Sequence, residues 1–419
     1  MHPNALLELA TELLHRVLQF QQPADNVVSD FFRQQRALGM RERHTLAETT
    51  YAVLRQRLLF QHLAQSGKGE MERRLAVLGW SGNDGFLRAA LSEAEQQWLA
   101  QVSAVDRSAL PDKLRHNLPE WLAERLMPAM GDEFWPLIDS LNVAAPLDLR
   151  VNTFKAKRDD VQAAFKAEGI EAAQTPYSPW GLRVQGKPAL HKLDVFVRGD
   201  VEVQDEGSQL LALLTDAKRG EMVVDFCAGA GGKTLALGAA MRNTGRLYAF
   251  DTSGHRLAAL KPRLARSGLS NVYPVQIAHE RDERIKRLAG KIDRVLVDAP
   301  CSGLGTLRRN PDMKWRQSPT SVDELRAKQA AILESAARLL KPGGRLVYAT
   351  CSLLEEENEA IATAFTDAQR HAFEPLAVAD SLTRAHVGDA DGLVRADFLR
   401  VWPHRHGTDA FFAAAWERR

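Results

Sequence analysis

Apolar residues near the start of the chain recur at the spacing of an α-helix. They fall every three or four residues between Leu6 and Leu18, and the stretch from Leu46 to Leu58 repeats the pattern. This periodicity predicts an N-terminal α-helical domain over residues 1–135. One interpretation of this domain is a packed bundle that carries no chemistry of its own.

The pattern changes after Leu147. Apolar and polar residues alternate in 147–152 and again in 181–185, as they do in strands, whereas 159–168 has helical spacing. These segments predict a small α+β subdomain over residues 145–205. Apolar strands and amphipathic helices then alternate through residues 206–419, which is typical of a parallel sheet. The predicted fold class is therefore α/β, with a Rossmann-like domain that follows an α+β insert and the N-terminal helices.

A glycine-rich turn follows the first predicted strand of the Rossmann-like domain, Met222–Phe226. The next strand ends in Asp251, about 20 residues beyond the glycines, where an acidic side chain accepts hydrogen bonds from an adenosine ribose. The pattern predicts a nucleotide-containing cofactor, and a tight turn without a ligand is the alternative. The loop residues expected to contact the cofactor are Cys227, Ala228, Gly229, Ala230, Gly231, Gly232 and Lys233.

The same loop partly resembles a phosphate-binding P-loop. Gly232-Lys233-Thr234 matches the end of that motif, and the strand that ends in Asp298 matches its magnesium-binding strand. The match fails at Cys227, where a P-loop requires glycine. A nucleotide hydrolase also has no use for a ribose-binding acid at Asp251, so this alternative is disfavoured.

Two cysteines, Cys301 and Cys351, each follow a short apolar strand. Ligands of open α/β sheets bind outside the carboxyl ends of the strands, so the two thiols are expected to converge on one pocket. Each cysteine alone is readily explained as a small buried hydrophobe. Together they indicate covalent catalysis, because a thiolate can attack carbon 6 of cytosine and make carbon 5 nucleophilic. Asp298, three residues before Cys301, is the candidate acid near N3 of the ring.

Composition narrows the class of protein further. The chain has 55 basic and 53 acidic residues and a net charge of +2, so a nucleic-acid surface has to be local. Three cysteines make no disulfide framework and favour a reducing, cytoplasmic location. No apolar run approaches the roughly 20 residues of a membrane span. Neither a membrane nor a metal is expected as a partner.

Five motifs together resemble the Sun/Fmu (RsmB-like) family of RNA 5-methylcytosine methyltransferases. The residues around Asn152 resemble the RNA-binding subdomain of that family, and the N-terminal helices more loosely resemble a NusB-like RNA-binding domain. The five motifs are Asp225-Phe-Cys-Ala-Gly-Ala-Gly-Gly-Lys233, Asp298-Ala-Pro-Cys-Ser-Gly303, Arg309-Asn-Pro-Asp-Met-Lys-Trp315, Lys341-Pro-Gly-Gly344 and Tyr348-Ala-Thr-Cys-Ser352.

The resemblance implies a class I methyltransferase that uses S-adenosyl-L-methionine. Residues 227–233, Asp251 and Asp298 would hold this cofactor, Cys351 would be the nucleophile, and Cys301 would assist release of the methylated RNA. The expected substrate is 16S rRNA. Transfer RNA is an alternative substrate, and a catalytically silent RNA-binding factor in ribosome assembly is an alternative function.

Basic residues beside Cys301 are candidates for contacts to RNA. The candidate RNA-binding residues are Asn152, Arg308, Arg309 and Lys314. One departure from the family concerns the adenine end of the cofactor, where Ala278 and His279 stand in place of an acidic residue. Glu280 or Asp282 would be the substitutes.

Overall fold

The computed structural model describes residues 1–419, which separate into two compact units. One unit comprises residues 1–144 and 306–319, and the other comprises residues 145–305 and 320–419. The first unit is therefore built from two separate parts of the chain.

Twenty-one helices are present. They are α1 Pro3–Val17, α2 Ala24–Gln34, α3 Met40–Arg55, α4 Arg57–Ala64, α5 Met71–Leu78, α6 Asp84–Ala90, α7 Glu93–Ser103, α8 Asp112–His116, α9 Glu120–Met130, α10 Phe134–Leu141, α11 Arg158–Ala167, α12 Asp194–Val197, α13 Glu206–Thr215, α14 Gly232–Ala240, α15 Gly254–Ser267, α16 Glu283–Lys286, α17 Met313–Arg316, α18 Pro319–Ala337, α19 Glu359–Gln369, α20 Val378–Arg384 and α21 Pro403–His406.

Thirteen strands form two sheets. They are β1 Leu147–Val151, β2 Ala172–Gln174, β3 Gly181–Val184, β4 Val201–Val203, β5 Met222–Asp225, β6 Arg246–Asp251, β7 Val272–Gln276, β8 Ile292–Asp298, β9 Leu340–Thr350, β10 Phe373–Pro375, β11 Val394–Arg395, β12 Phe398–Val401 and β13 Phe411–Arg418.

Helices α1 to α7 pack their apolar faces into a core of the first unit. In α1 the buried residues fall at helical spacing, from Leu6 to Val17, and proline occupies the first helical position, where its missing N–H is no loss. Helix α7 begins with a capping box formed by Ser92 and Glu95. The predicted helical character of this region is confirmed.

Segment 306–319 belongs to the same unit. The Lys314 ammonium donates a hydrogen bond to the Arg55 carbonyl oxygen at 2.9 Å, and the Trp315 indole N–H donates to the Leu54 carbonyl oxygen at 3.0 Å. Trp315 also packs against the apolar core of the helices. These contacts join residues that are far apart in sequence, so no local pattern predicts them.

The second unit begins with a four-stranded antiparallel sheet in the order β2-β3-β1-β4. Helix α11 covers it and buries Val161 and Phe165 against Leu149 and Leu182. The strands predicted around Leu147 and Gly181 are present.

The large sheet has the strand order β11-β12-β13-β9-β8-β5-β6-β7, and β10 pairs with β13. Strands β5 to β9 are parallel, whereas β13 runs antiparallel between β9 and β12. Strand β5 lies between β6 and β8. The chain therefore continues from β5 to β6 and β7 on one side and then crosses to β8 and β9 on the other side. This is a topological switch point, where α/β sheets bind ligands at the carboxyl ends of their strands. The predicted α/β fold class is confirmed.

Helices long and apolar enough to traverse a lipid bilayer are absent from the structure.

Candidate active site

The glycine-rich turn connects β5 to α14 at the switch point. Gly229 and Gly231 have φ values of +57° and +83°, in the left-handed region that glycine adopts readily. A Cβ atom on Gly231 would collide with the side chain of Leu260. The turn therefore requires glycine at this position for conformation and for space.

Asp251, at the end of β6, supports this turn. One of its carboxylate oxygens accepts a hydrogen bond from the Gly229 N–H at 2.8 Å, and the other accepts one from the Ser253 N–H at 2.7 Å. The side chain is only 7% exposed. Asp251 thus lies against the predicted cofactor loop, as its spacing in the sequence suggested.

Asp225 ends β5 beneath the turn and is fully buried. Its Oδ2 accepts a hydrogen bond from the Thr234 hydroxyl at 2.7 Å, whereas its Oδ1 has no partner. Burial raises the pKa of Asp225 to about 7, and the nearby charges of Asp298 and Asp251 act in the same direction. An acceptor atom is therefore buried below the loop without a donor.

Lys233 and Asp298 form an ion pair at the first turn of α14. The Lys233 ammonium lies 2.8 Å from Oδ2 of Asp298 and 5.6 Å from the centre of the Phe411 ring. Burial opposes the charge on Lys233, but the Asp298 carboxylate outweighs burial and raises its pKa, and Cys351 contributes in the same direction. Lys233 is thus held as a cation that interacts with both Asp298 and Cys351.

Cys301 and Cys351 are brought together at the ends of neighbouring parallel strands. Asp298 of β8 is paired with Ala349 of β9, and the two chains then turn so that the sulfur atoms lie 3.4 Å apart. The hydrogen bond to Cys351 and burial raise the pKa of Cys301, and the charge of Glu357 adds to the effect. The convergence predicted for these two thiols is present in the structure.

Gly305 holds the turn after Cys301 against its neighbours. Its N–H donates to the Cys351 carbonyl oxygen at 2.8 Å, and its carbonyl oxygen accepts from the Ala410 N–H at 3.0 Å. A Cβ atom on Gly305 would collide with the Ala410 carbonyl oxygen and lie 2.8 Å from that of Cys351.

Cys227 lies in the glycine turn and takes no part in the thiol pair. Its side chain packs against the apolar core, and burial raises its pKa well above the usual value of a thiol. A buried neutral thiol of this kind acts as a small apolar residue.

Three of the predicted RNA-binding residues are buried. The amide of Asn152 donates to the carbonyl oxygens of Gly199 and Ser267, each at 3.0 Å. Lys314 is 3% exposed, and burial lowers its pKa to about 7. Arg308 is 5% exposed, and only Arg309 is partly accessible. Burial argues against a phosphate contact by Asn152, Lys314 and Arg308.

In the loop predicted to hold the adenine end of the cofactor, Asp282 forms hydrogen bonds to the backbone of the loop itself. Its carboxylate accepts hydrogen bonds from the Ala278 N–H and the Arg284 N–H, each at 2.9 Å. Asp282 therefore caps α16 and shapes the loop after β7. His279 accepts a hydrogen bond from the Arg281 N–H at 3.1 Å.

Sequence reasoning missed Glu357. Its buried carboxylate contacts the residues that follow both Cys301 and Cys351. The only signal in the sequence is the acidic run 355–357 shortly after Cys351. Such a run is usually a solvated surface, and nothing local distinguishes the third glutamate from the first two.

A parallel sheet with an antiparallel strand β13 between β9 and β12, a glycine turn after β5 and an acid at the end of β6 define a Rossmann-like methyltransferase. Comparison with known proteins gives the family. Residues 212–417 match the family model "16S rRNA methyltransferase RsmB/F", and residues 118–191 match the ferredoxin-like domain of RsmF/B-like methyltransferases.

Curated relatives agree with these models. The chain is 32% identical over 346 residues to the "Probable ribosomal RNA small subunit methyltransferase B" of Bacillus subtilis, covering 82% of this chain and 76% of the relative. It is 34% identical over 303 residues to the protein of the same name from Synechocystis, covering 72% of this chain and 66% of the relative. The chain belongs to the RsmB/F family and is an RNA methyltransferase.

Solved structures share the fold. The crystal structure of PH0851 matches with a TM-score of 0.80 and 25% identity, over 100% of this chain and 99% of that one. A methyltransferase homologue from Pyrococcus horikoshii matches with a TM-score of 0.63 and 28% identity, over 75% of this chain and 100% of that one. The Sun/Fmu resemblance is thereby confirmed.

Proposed function

We propose that this protein transfers a methyl group from S-adenosyl-L-methionine to carbon 5 of a cytosine in 16S rRNA, through a covalent bond between Cys351 and the base. The observation that carries the proposal is the distance of 3.4 Å between the sulfur atoms of Cys301 and Cys351 at the switch point of the sheet. Covalent activation of a pyrimidine ring requires a thiol at the substrate site, and the Lys233–Asp298 ion pair accompanies it here.

The residues of the loop suit the cofactor chemically. S-adenosyl-L-methionine has an ammonium group, a sulfonium group and two ribose hydroxyls, which are all cations or hydrogen-bond donors. Asp251 would accept hydrogen bonds from the ribose hydroxyls. The unpartnered Oδ1 of Asp225 fits a donor from the methionine end, and residues 227–233 would provide close backbone contact. When bound, the cofactor would supply an electrophilic methyl group, and Asp298 would be among the residues that hold it.

Cys351 would begin the reaction. Its thiolate would form a bond with carbon 6 of cytosine, and electron density would move to carbon 5, which takes the methyl group as the sulfur–methyl bond breaks and S-adenosyl-L-homocysteine leaves. The Lys233 ammonium, held by its ion pair with Asp298, is a cation that interacts with the Cys351 sulfur.

Asp298 would act at N3 of the base. The ring takes up a proton from solvent at N3 when Cys351 adds, and the Asp298 carboxylate would accept a hydrogen bond from that N3–H and so stabilise the adduct. Lys233 holds the Asp298 carboxylate by an ion pair of 2.8 Å and thereby positions it.

Cys301 would act in the second half of the reaction. Once the proton of carbon 5 has been released to solvent, the bond between carbon 6 and Cys351 breaks and the electron pair returns to the Cys351 sulfur. Cys301 keeps its proton because its pKa is raised, so its thiol can donate a hydrogen bond to the departing thiolate.

The substrate is inferred from the relatives, which are named for the RNA of the small ribosomal subunit. A cytosine can reach Cys351 only when it is unstacked, which single-stranded segments and loops of RNA permit.

The test is transfer of a radiolabelled methyl group to ribosomal RNA and transfer RNA from cells that lack this protein, followed by digestion to nucleosides. We expect label in 5-methylcytidine from 16S rRNA. Label in transfer RNA alone would move the substrate to that class. Absence of label from both, with the cofactor still bound, would favour a silent assembly factor.

Two cysteine variants separate the roles of the thiols. Cys351→Ala should abolish methyl transfer while the cofactor still binds. Cys301→Ala should instead accumulate a protein–RNA adduct that survives denaturing electrophoresis. If an adduct instead forms only when Cys301 is intact and Cys351 is mutated, Cys301 is the nucleophile and Cys351 assists release of the methylated RNA.

A further inference from the structure

The buried carboxylate of Glu357 connects the turns that carry the two thiols. One of its oxygens accepts a hydrogen bond from the Ser302 N–H at 2.8 Å, and the other accepts one from the Ser302 hydroxyl at 2.5 Å. The second oxygen also accepts a hydrogen bond from the Ser352 hydroxyl. Ser302 follows Cys301 and Ser352 follows Cys351, so one side chain joins both turns.

The backbone of Glu357 is held as firmly as its carboxylate. The Tyr348 hydroxyl donates to the Glu357 carbonyl oxygen at 2.6 Å, and the Gln329 amide donates to the carboxylate and to the Pro300 carbonyl oxygen, each at 3.0 Å. Glu357 and Gln329 have no solvent exposure.

The next residue fixes the Cys351 turn from another direction. The Asn358 amide donates to the Ser352 carbonyl oxygen at 3.0 Å, and the Arg400 guanidinium donates to the same oxygen at 3.1 Å. Glu357, the neighbour of Asn358, is hydrogen-bonded to both turns and so links the position of one sulfur to that of the other.

We propose that Glu357 is a positioning residue that holds the Cys301 and Cys351 turns in register, so that the two sulfur atoms act on the same base. This rests on the proposed function. The thiols sit on two turns beyond the end of strand pairing, where the hydrogen bond from the Gly305 N–H to the Cys351 carbonyl oxygen links the backbones and the Glu357 carboxylate adds a side-chain link. A displacement of about 1 Å at a reacting atom can cost about 10²-fold in rate.

Glu357 also brings charge to the site. Its carboxylate is one of the groups that raise the pKa of Cys301, after the hydrogen bond to Cys351 and burial. The negative charge of a buried carboxylate near Cys301 disfavours the ionised form of that thiol, so a second thiolate beside Cys351 is disfavoured. The geometry thus gives Glu357 two measurable effects, one on the separation of the sulfurs and one on the protonation of Cys301.

The test compares Glu357→Gln with Glu355→Gln in the full chain. Glutamine has nearly the shape of glutamate but replaces an acceptor oxygen with an NH₂ group and removes the charge. Glu355 lies two residues away on the exposed side of the same segment and provides a matched control. Two quantities are measured: single-turnover methyl transfer with cofactor affinity, and the pH dependence of alkylation at Cys301 and Cys351, resolved by peptide mass spectrometry.

For Glu357→Gln we expect the methyl-transfer rate to fall by about 10²-fold, with cofactor affinity within about twofold of wild type. Alkylation of Cys301 should shift to lower pH because a negative charge is lost. Glu355→Gln should behave as wild type in both measurements. If Glu357→Gln has the wild-type rate, or a slower rate with an unchanged alkylation profile at both cysteines, the positioning role is wrong.

A second variant keeps the proposal testable if Glu357→Gln does not fold. The double variant Ser302→Ala with Ser352→Ala retains the carboxylate, the Ser302 N–H and the Gln329 amide but removes the two hydroxyl donors. It should also lower the rate and change alkylation at the cysteines, and wild-type values in both would overturn the proposal. If the wild-type protein methylates no RNA, the proposed function fails, whereas the alkylation measurement still decides the role of Glu357.

Discussion

One carboxyl group of this site has its pKa set chiefly by burial. Asp225 is fully buried beneath the glycine turn, and its pKa is raised to about 7. A carboxyl group whose pKa is higher in the folded state binds more protons there than in the unfolded chain. This extra protonation stabilises the folded state fully below the unfolded-state pKa of about 3.9. The stabilisation is lost as the pH rises through the folded-state pKa of about 7.

Asp225→Asn should therefore change how stability depends on pH. Wild type should lose about 2–3 kcal/mol relative to the variant between pH 5 and pH 8, because asparagine has no proton to lose. Urea unfolding at several pH values measures this difference, and Asp391→Asn, an exposed position, controls for the loss of one carboxylate. Parallel curves for wild type and Asp225→Asn would show that Asp225 ionises alike in both states.

At the scale of short elements, the turn after Cys301 is constrained at Gly305. Gly305 lies between two backbone carbonyl oxygens, those of Cys351 and Ala410. These two residues adjoin the ends of β9 and β13, and backbone atoms fixed there cannot rotate away as a flexible side chain can. Sequence inspection finds a glycine at this position but has no means of finding what surrounds it.

Gly305→Ala should displace the turn after Cys301. We expect slower methyl transfer and a loss of about 1–3 kcal/mol of stability, the usual range for overpacking. Gly85→Ala is the control, because Gly85 lies in helix α6 without a positive φ, and an added Cβ would meet a side-chain atom, Oδ1 of Asn83 at 3.2 Å, and no backbone atom, so its effect on stability should be smaller. Enzyme assays and thermal unfolding of both variants measure these effects, and equal behaviour would contradict the steric argument.

The basic residues of segment 306–319 have a different environment from the one that the sequence alone suggested. Its basic residues suggested a surface for RNA, but Lys314 is buried and hydrogen-bonded to the Arg55 carbonyl oxygen. Helix α3 supplies that carbonyl, and nothing in the local sequence indicates its proximity.

Lys314→Met should leave RNA binding and its salt dependence unchanged. Each phosphate contact contributes a slope of about −0.7 to −0.9 to a plot of log affinity against log salt concentration. Binding measured from low to moderate salt should give the same slope for variant and wild type. If Lys314→Met instead reduces the slope by about one unit, Lys314 is a phosphate contact. The partly accessible Arg309 provides the comparison, as Arg309→Met.

At the scale of the whole molecule, the first unit is completed by a segment that comes from far along the chain. Residues 306–319 follow the Cys301 turn directly and pack with helices that end before residue 142. The helices therefore hold a segment that begins five residues after Cys301.

Deletion of residues 1–116 should leave segment 306–319 without its partners. The Trp315 indole and the Lys314 ammonium would lose the carbonyl oxygens of Leu54 and Arg55 that accept from them. We expect amide hydrogen exchange in 306–319 to accelerate strongly while strands β5 and β8 stay protected. Unchanged exchange in the segment would show that it is ordered without the helices.

Much of the fold and the site could be predicted from the sequence. The glycine turn, Asp251, Asp298 and the two cysteines lie at the ends of apolar strands, and strand ends are visible as local changes of pattern. In contrast, the role of Glu357, the burial of Asn152 and the partners of Lys314 depend on residues many positions away. Periodicity contains no information about such contacts.

The sequence by itself determined which short segments become strands and turns, and which side chains capable of chemistry stand at their ends, because these properties depend on neighbouring residues. Only the tertiary structure decided that the two sulfurs lie 3.4 Å apart, that one buried carboxylate joins their turns, and that a basic segment packs among helices. The physical reason is that hydrogen bonds and burial are set by distance in space, which the order of strands across the sheet establishes.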